Sequence, residues 1–188
     1  MNYVKEIDIL DKSFFQKLAN DYMTERWLEL NDVDALMLYT DRTPINVNDY
    51  SYLKNIQKQY PKLQDYVKLL KSAPGGSWPP HIDRHRATAI NIPIRNCDEN
   101  GVTRFYKDYH EVEFTTAWFG NQNKLWSTNP YVQYVEGGTI AFEHVLLEPT
   151  IINTKIPHDI INSGTKTRII CSWEYRDTFD NAVIDLCP

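Results

Sequence analysis

Two histidines and an aspartate have the types and spacing to bind a divalent metal ion. His81 and Asp83 stand two residues apart in a segment with the texture of a strand, so both side chains point to the same face. A third ligand must come from elsewhere in the chain, and His158 can supply it. Two imidazoles and one carboxylate on one side of a metal leave positions open, as in mononuclear non-haem Fe(II) sites.

The spacing alone leaves other ligand sets open. A histidine and an aspartate separated by one residue often occur by chance, and a single histidine is more often a surface or hydrogen-bonded residue than a ligand. The rivals are His85, which shares the face of Asp83, the pair His110 and Glu113, and the pair Glu143 and His144.

An arginine ten residues after His158 extends the pattern. If the chain turns at Asn162-Ser-Gly164, His158 and Arg168 should lie on neighbouring antiparallel strands that face the same interior. A buried guanidinium needs an anionic partner, because leaving it unpaired costs several kcal/mol. A dicarboxylate that chelates the metal at one end and meets Arg168 at the other would provide it. The alternative is an ion pair with Glu174 or Glu143.

These residues together resemble the Fe(II)/2-oxoglutarate-dependent oxygenases. The stretches 81–94 and 152–162 resemble strands of the aspartyl/asparaginyl β-hydroxylase-like members, and the likeness covers about residues 74–176. The resemblance implies that the three candidate ligands bind Fe(II) and that Arg168 holds the distal carboxylate of 2-oxoglutarate. It also implies hydroxylation of an amino-acid side chain, free or in a protein, with consumption of O2 and release of succinate and CO2.

Further residues are candidates for the same site. Asn91 lies eight positions after Asp83, hence on the same strand face, and could reach the cosubstrate or the substrate. Weaker candidates are Thr103, Tyr106 and Ser172. The family often has a small hydroxyl residue two positions after the arginine, whereas this chain has Ile170.

Two other classes of protein remain compatible with the sequence. A cupin-type metalloenzyme would use the metal without 2-oxoglutarate, although Arg168 speaks against it. A metal-free jelly-roll binding module would leave the histidines incidental. The tryptophans at 78, 118, 126 and 173 could wall the site, but core packing is the expected role of at least half of them.

The elements that position these residues are predicted as an α+β chain. We expect one domain over 1–188, in which a mainly helical flank, 1–72, precedes and buttresses a double-stranded β-helix (jelly-roll, cupin-like) core at 73–176. Residues 177–188 are expected as a C-terminal tail. The helices are predicted from Asp11 or Ser13 to about Leu30, from Asn48-Asp49, and from Pro61 through Leu70, with a short strand at 35–39.

After the helix-breaking segment 73–80 the chain alternates between strands and turn signals. The motif 80–83 is expected to open the first strand of the barrel. The other predicted strands are 87–94, 102–106, 111–117, 131–135, 139–144, 150–156 and 167–173.

The composition of the chain limits the classes of partner that it can bind. The net charge is −5 with a pI near 5.5, and no basic stripe is visible, which argues against a nucleic-acid binder. The three cysteines lack the spacing of a disulfide framework or a thiolate zinc site. With no signal-like N-terminus and no membrane-length apolar run, we expect a cytoplasmic protein that acts on a small-molecule or peptidyl substrate.

Overall fold

The computed structural model describes residues 2–23, 44–119, 122–127 and 132–187. Within these ranges the chain forms two antiparallel sheets and three α-helices. The helices are α1 (Lys12–Tyr22), α2 (Ser51–Gln59) and α3 (Phe179–Leu186), with a 3-10 turn at Val47–Asp49 before α2. No helix of the described segments is long and apolar enough to cross a membrane.

The first sheet has six strands. They are β1 (Val4–Glu6), β2 (Pro44–Asn46), β3 (Leu63–Ser72), β5 (Thr88–Arg95), β12 (Thr150–Asn153) and β14 (Arg168–Tyr175). Their order across the sheet is β1-β12-β5-β14-β3-β2.

The second sheet has eight strands in the described residues. They are β4 (Gly76–Asp83), β6 (Gly101–Lys107), β7 (His110–Val112), β8 (Phe114–Phe119), β9 (Gln122–Ser127), β10 (Val132–Glu136), β11 (Thr139–Val145) and β13 (His158–Asn162). The order β11-β6-β13-β4-β10-β7 forms the main path, and β8 pairs with β4 and β9.

The two sheets face each other across a shared interior. Phe105 of the second sheet and Ile152 of the first belong to one buried cluster. Arg86, in the connection between β4 and β5, donates hydrogen bonds to Asp83 of the second sheet and to Ser172 of the first. The chain passes repeatedly from one sheet to the other, as in a double-stranded β-helix. The predicted α+β, cupin-like fold class is therefore confirmed.

The helices cover the outer face of the first sheet. Alternation along β14 sends Ile169, Cys171 and Trp173 into the core that the helices complete, where Phe15 of α1 packs against the Trp173 ring. The intervening side chains, from Arg168 onwards, face the second sheet instead. The core thus lies on one side of the first sheet and the polar interior on the other.

The first helix is shorter than predicted. Asp11 caps it by accepting hydrogen bonds from the backbone N–H groups of Ser13 and Phe14, and it ends at Tyr22 because Met23 is extended. The prediction of a helix to about Leu30 was wrong in its end. The strand predicted at 35–39 lies outside the described residues.

The third predicted helix was wrong, because Leu63–Ser72 is strand β3. The strand is covered on both faces: Leu63, Val67 and Leu69 face the helices, whereas Leu70 packs with Ile170 on the other side. Apolar residues on both faces hide the alternation of a strand and produce intervals that resemble a helix. The flank 1–72 is consequently a mixture of helices and strands.

Several boundaries differ from the predictions. The metal motif ends β4 rather than opening it, and the predicted strand 111–117 is split into β7 and β8, with β9 unforeseen. Strand β12 ends at Asn153. The expected tail contains α3, whose Phe179 and Leu186 are buried in the core.

Candidate metal centre and anion pocket

His81, Asp83 and His158 converge in the interior of the barrel. Each offers a ligand atom, and these atoms lie within 4.8 Å of one another. Strands β4 and β13 pair so that His158 lies opposite His81, and the Nε2 atom of His81 is 3.6 Å from Oδ1 of Asp83. Neighbouring ligands of one metal ion stand about 3 Å apart when each bond is about 2.1 Å. Small side-chain movements would therefore bring all three onto one ion.

Backbone carbonyl groups fix the orientation of both imidazoles. The Nδ1 atom of His81 lies 2.8 Å from the carbonyl oxygen of Pro79, and that of His158 lies 2.9 Å from the carbonyl oxygen of Ile156. Because a carbonyl oxygen only accepts, each Nδ1 carries the proton and each Nε2 keeps its lone pair. The free lone pairs are the atoms that converge with the carboxylate of Asp83.

The ionisation of the three side chains matches a metal site. Burial lowers the pKa of His81 to about 3, with a further contribution from His158, and burial also lowers the pKa of His158. For Asp83, burial raises the pKa, but the charge of Arg86 and the nearby imidazoles outweigh it and the pKa falls to about 2. The site thus presents two neutral imidazoles and one carboxylate, the forms that bind a cation.

Arg86 orients the carboxylate of Asp83. Its Nε and Nη2 atoms lie 2.8 and 2.7 Å from Oδ2 of Asp83, and its Nη1 donates to Ser172 Oγ at 3.2 Å. This leaves Oδ1 of Asp83 turned towards His81. The sequence showed Arg86 only as part of a short basic run, and the pairing depends on a loop conformation that no spacing rule predicts.

The rival ligand sets are not assembled. His85, His110 and Glu113 are exposed, and His144 is buried without joining the group. Among the described residues, the three candidate ligands form the cluster of metal-binding type.

Aromatic rings border the two histidines. The Trp78 ring meets that of His81 edge-on at 5.8 Å, and the Phe105 ring lies 6.0 Å from that of His158. Trp173 instead belongs to the helix-covered core, where its Nε1 donates to the carbonyl of Gln64. The side chains of the tryptophans at 118 and 126 lie outside the described set.

Arg168 is buried without a protein partner. It is 3% exposed, and its side chain makes no hydrogen bond or ion pair with the described part of the chain. The alternative of a pair with Glu174 or Glu143 is not formed there, and Glu174 instead accepts from Gln64. A guanidinium in this state calls for an anion.

The strands that carry His158 and Arg168 are not neighbours, which corrects the prediction. β13 belongs to the second sheet and β14 to the first. Both side chains still face the shared interior: His158 joins the buried ligand group, and Arg168 reaches the second sheet, where it lies against Gly101. Asn162 holds the turn between the strands, since its Nδ2 donates to the carbonyl oxygens of Ser72 and Lys166, both at 2.9 Å.

The remaining candidates divide between the two faces. Asn91 does not share a strand with Asp83, which corrects the prediction, because β4 ends at Asp83 and the chain crosses to β5 of the first sheet. There Asn91 lies beside Ser172 with its Oδ1 buried and unpartnered. Thr103 is buried on the same face of β6 as Phe105. Tyr106 is not brought to the site, because its hydroxyl donates at 2.7 Å to Asp159 on the opposite face.

Comparisons with known proteins add only general likenesses of fold. No family model matches the chain, and no curated protein matches it. Among solved structures, a Pseudomonas putida prolyl-4-hydroxylase has a TM-score of 0.46 at 13% identity, over 93% of this chain and 91% of that one. E. coli ycfD has a TM-score of 0.40 at 14% identity over 74% of this chain. This chain covers 34% of the ycfD chain, about a third of its length.

A third similar structure has the same kind of barrel. It is a double-stranded β-helix protein from Klebsiella pneumoniae, with a TM-score of 0.24 and 13% identity over 79% of this chain and 90% of that one. At these identities a likeness concerns the fold alone. The two sheets and the site themselves define the class, a cupin-like barrel with a buried His-Asp-His group.

Proposed function

We propose that this protein is an Fe(II)- and 2-oxoglutarate-dependent dioxygenase that hydroxylates a C–H bond of an amino-acid side chain, free or in a protein. The observation that carries the proposal is the pairing of two features in one barrel interior. The first is the His81, Asp83 and His158 group, and the second is the unpaired guanidinium of Arg168. A metal site without an anion pocket would not explain the buried arginine.

The donor set suits Fe(II). Two imidazole nitrogens and one carboxylate oxygen occupy one side of an ion and leave the other side for a chelating cosubstrate and O2. Fe(II) with 2-oxoglutarate bound there would supply the oxidation, in which O2 and the C–H bond are converted to the hydroxylated product with succinate and CO2.

The chain's own residues would hold and orient these groups. Asp83 is ionised and aimed by Arg86, and the Nε2 atoms of His81 and His158 are free to bind. Arg168 would take the distal carboxylate of 2-oxoglutarate by a two-point hydrogen bond. Asn91, whose Oδ1 is buried and unpartnered, would contact the cosubstrate or the substrate from the first sheet.

Anaerobic spectroscopy tests the proposal. Fe(II) and 2-oxoglutarate added to the purified protein should give a visible charge-transfer band, and Asp83→Ala should abolish it. His85→Ala serves as the control, because this exposed histidine stands two residues from Asp83 without joining the cluster. The absence of the band, together with the absence of succinate formation in air, would overturn the assignment. Succinate release in the presence of free amino acids or peptides, with gain of one oxygen atom by the substrate, would then identify the substrate.

A further inference from the structure

Two more buried polar atoms close to Arg168 have no partner. Ser72 Oγ, His144 Nε2 and Arg168 Nε lack hydrogen-bond partners in the described structure, and their residues are 5%, 9% and 3% exposed. A buried polar group without a hydrogen-bond partner destabilises the folded protein. Three such groups in one region indicate a ligand that completes their hydrogen bonds.

His144 lies on β11, next to the strand β6 that Arg168 contacts. Strands β11 and β6 pair His144 with Thr103, so the two side chains share a face. Gly101 stands two residues before Thr103 on that same face, and Arg168 lies directly against it. The charge of Arg168 also acts on the His144 imidazole, in accordance with this proximity.

Ser72 approaches Arg168 from the opposite side. The two residues are direct partners in the pairing of β3 with β14, so their side chains leave the first sheet on the same face. The backbone carbonyl of Ser72 accepts from Asn162, while its hydroxyl is buried without a partner and can bind a ligand.

We infer that His144 and Ser72 complete, with Arg168, a pocket for a single carboxylate group, and that His144 determines its specificity by donating from Nε2. This inference rests on the proposed function, because the carboxylate is taken to be the distal one of 2-oxoglutarate. All three groups can donate, and a carboxylate only accepts. Burial lowers the pKa of His144 and favours the neutral imidazole, so one guanidinium charge meets one carboxylate charge.

The test separates the two ends of the cosubstrate. The Mn(II)-loaded protein is titrated under argon with 2-oxoglutarate and with 2-oxopentanoate, which keeps the chelating end but lacks the distal carboxylate. His144→Phe removes the donor while keeping a ring, and His144→Gln restores an N–H donor. Ser72→Ala tests the opposite side, and Tyr106→Phe is the control on the outer face.

We expect His144→Phe to weaken 2-oxoglutarate binding about tenfold, and Ser72→Ala to weaken it at least about threefold. His144→Gln should stay within about threefold of the wild type. Binding of 2-oxopentanoate, Mn(II) affinity and the Tyr106→Phe variant should be unchanged.

The outcomes are distinguishable. If the wild type binds 2-oxoglutarate and His144→Phe and Ser72→Ala bind it equally well, this inference is overturned and the proposed function stands. Equal weakening of both ligands also overturns it, because it reveals a general structural role. A wild-type protein that binds neither ligand overturns the proposed function together with the pocket.

Discussion

Arg168 and Gly101 belong to different sheets and touch across the barrel interior. A Cβ atom placed on Gly101 would lie 2.7 Å from Cδ and 2.8 Å from Nε of Arg168. Because Gly101 has no side chain, Arg168 can extend from β14 and lie against β6 of the second sheet.

Gly101→Ala should displace the guanidinium and weaken 2-oxoglutarate binding by at least about tenfold, since contacts of that length cannot persist. Mn(II) affinity should change little, because the metal ligands lie further along the sheet. Gly138→Ala is the control, since its added Cβ would meet Tyr106 at 3.1 Å, away from Arg168. Titration calorimetry with each variant decides the matter, and unchanged 2-oxoglutarate affinity in Gly101→Ala would contradict the assigned position of Arg168.

Removal of Arg86 should weaken the metal site without removing a ligand. Arg86→Met frees the carboxylate of Asp83 to rotate and deprives it of its charge partner, so we expect a loss of about 10–100-fold in Mn(II) affinity. Arg84→Met is the matched control, because that exposed arginine bonds Gln133 instead. A competition titration with a chelating dye measures both variants. Equal affinities would exclude a role for Arg86 at the metal.

The metal-free protein should lose stability as the pH falls below about 7. Burial lowers the pKa values of His81, His158 and His144 from 6.5, to about 3 for His81, so the native state stays neutral while the unfolded state takes up protons. Stability then rises with pH, by about 1.4 kcal/mol per pH unit for each histidine that is protonated only when unfolded. For His81 this dependence spans the window from about 6.5 down to about 3.

Urea unfolding between pH 7.5 and pH 5 measures this dependence. His144→Gln should flatten the slope, whereas His85→Gln should retain it because His85 is exposed. A free energy of unfolding that does not change over this pH range would show that the pKa values of the buried histidines are the same in the folded and unfolded states.

The sequence predicted which residues form the candidate metal site better than it predicted the strand pairings around them. His81 and Asp83 follow from the alternation of a strand, which requires no knowledge of the rest of the fold. The pairing of His158 with His81 and the crossing of Arg168 between sheets depend on long-range contacts, and spacing carries no information about which sheet a strand joins. The strand β3 was missed for a related reason, since burial on both faces removes its alternation.

His144 shows why the sequence predicted only the Arg168 part of the proposed carboxylate pocket. The pairing of β11 with β6 shifts between Ile140 and Phe142, where the register gains one residue. Without that bulge Glu143 would lie opposite Thr103 and face the interior in place of His144. A single inserted residue thus decides which of two adjacent polar side chains enters the barrel, and no sequence pattern marks it.

Replacing Ile170 by serine, a small hydroxyl residue of the kind often found here in the family that this sequence resembles, should destabilise the protein. Ile170 is 5% exposed and packs with Leu70 and Leu146, so Ile170→Ser should destabilise the protein by about 3 kcal/mol through lost burial and a buried hydroxyl. It should bring no gain in 2-oxoglutarate affinity, because Ser72 already presents a hydroxyl directly opposite Arg168. Ile170→Val is the control and should cost about 1 kcal/mol. Urea unfolding and calorimetry test the two parts, and tighter binding by Ile170→Ser would mean that the carboxylate lies nearer Ile170 than Ser72.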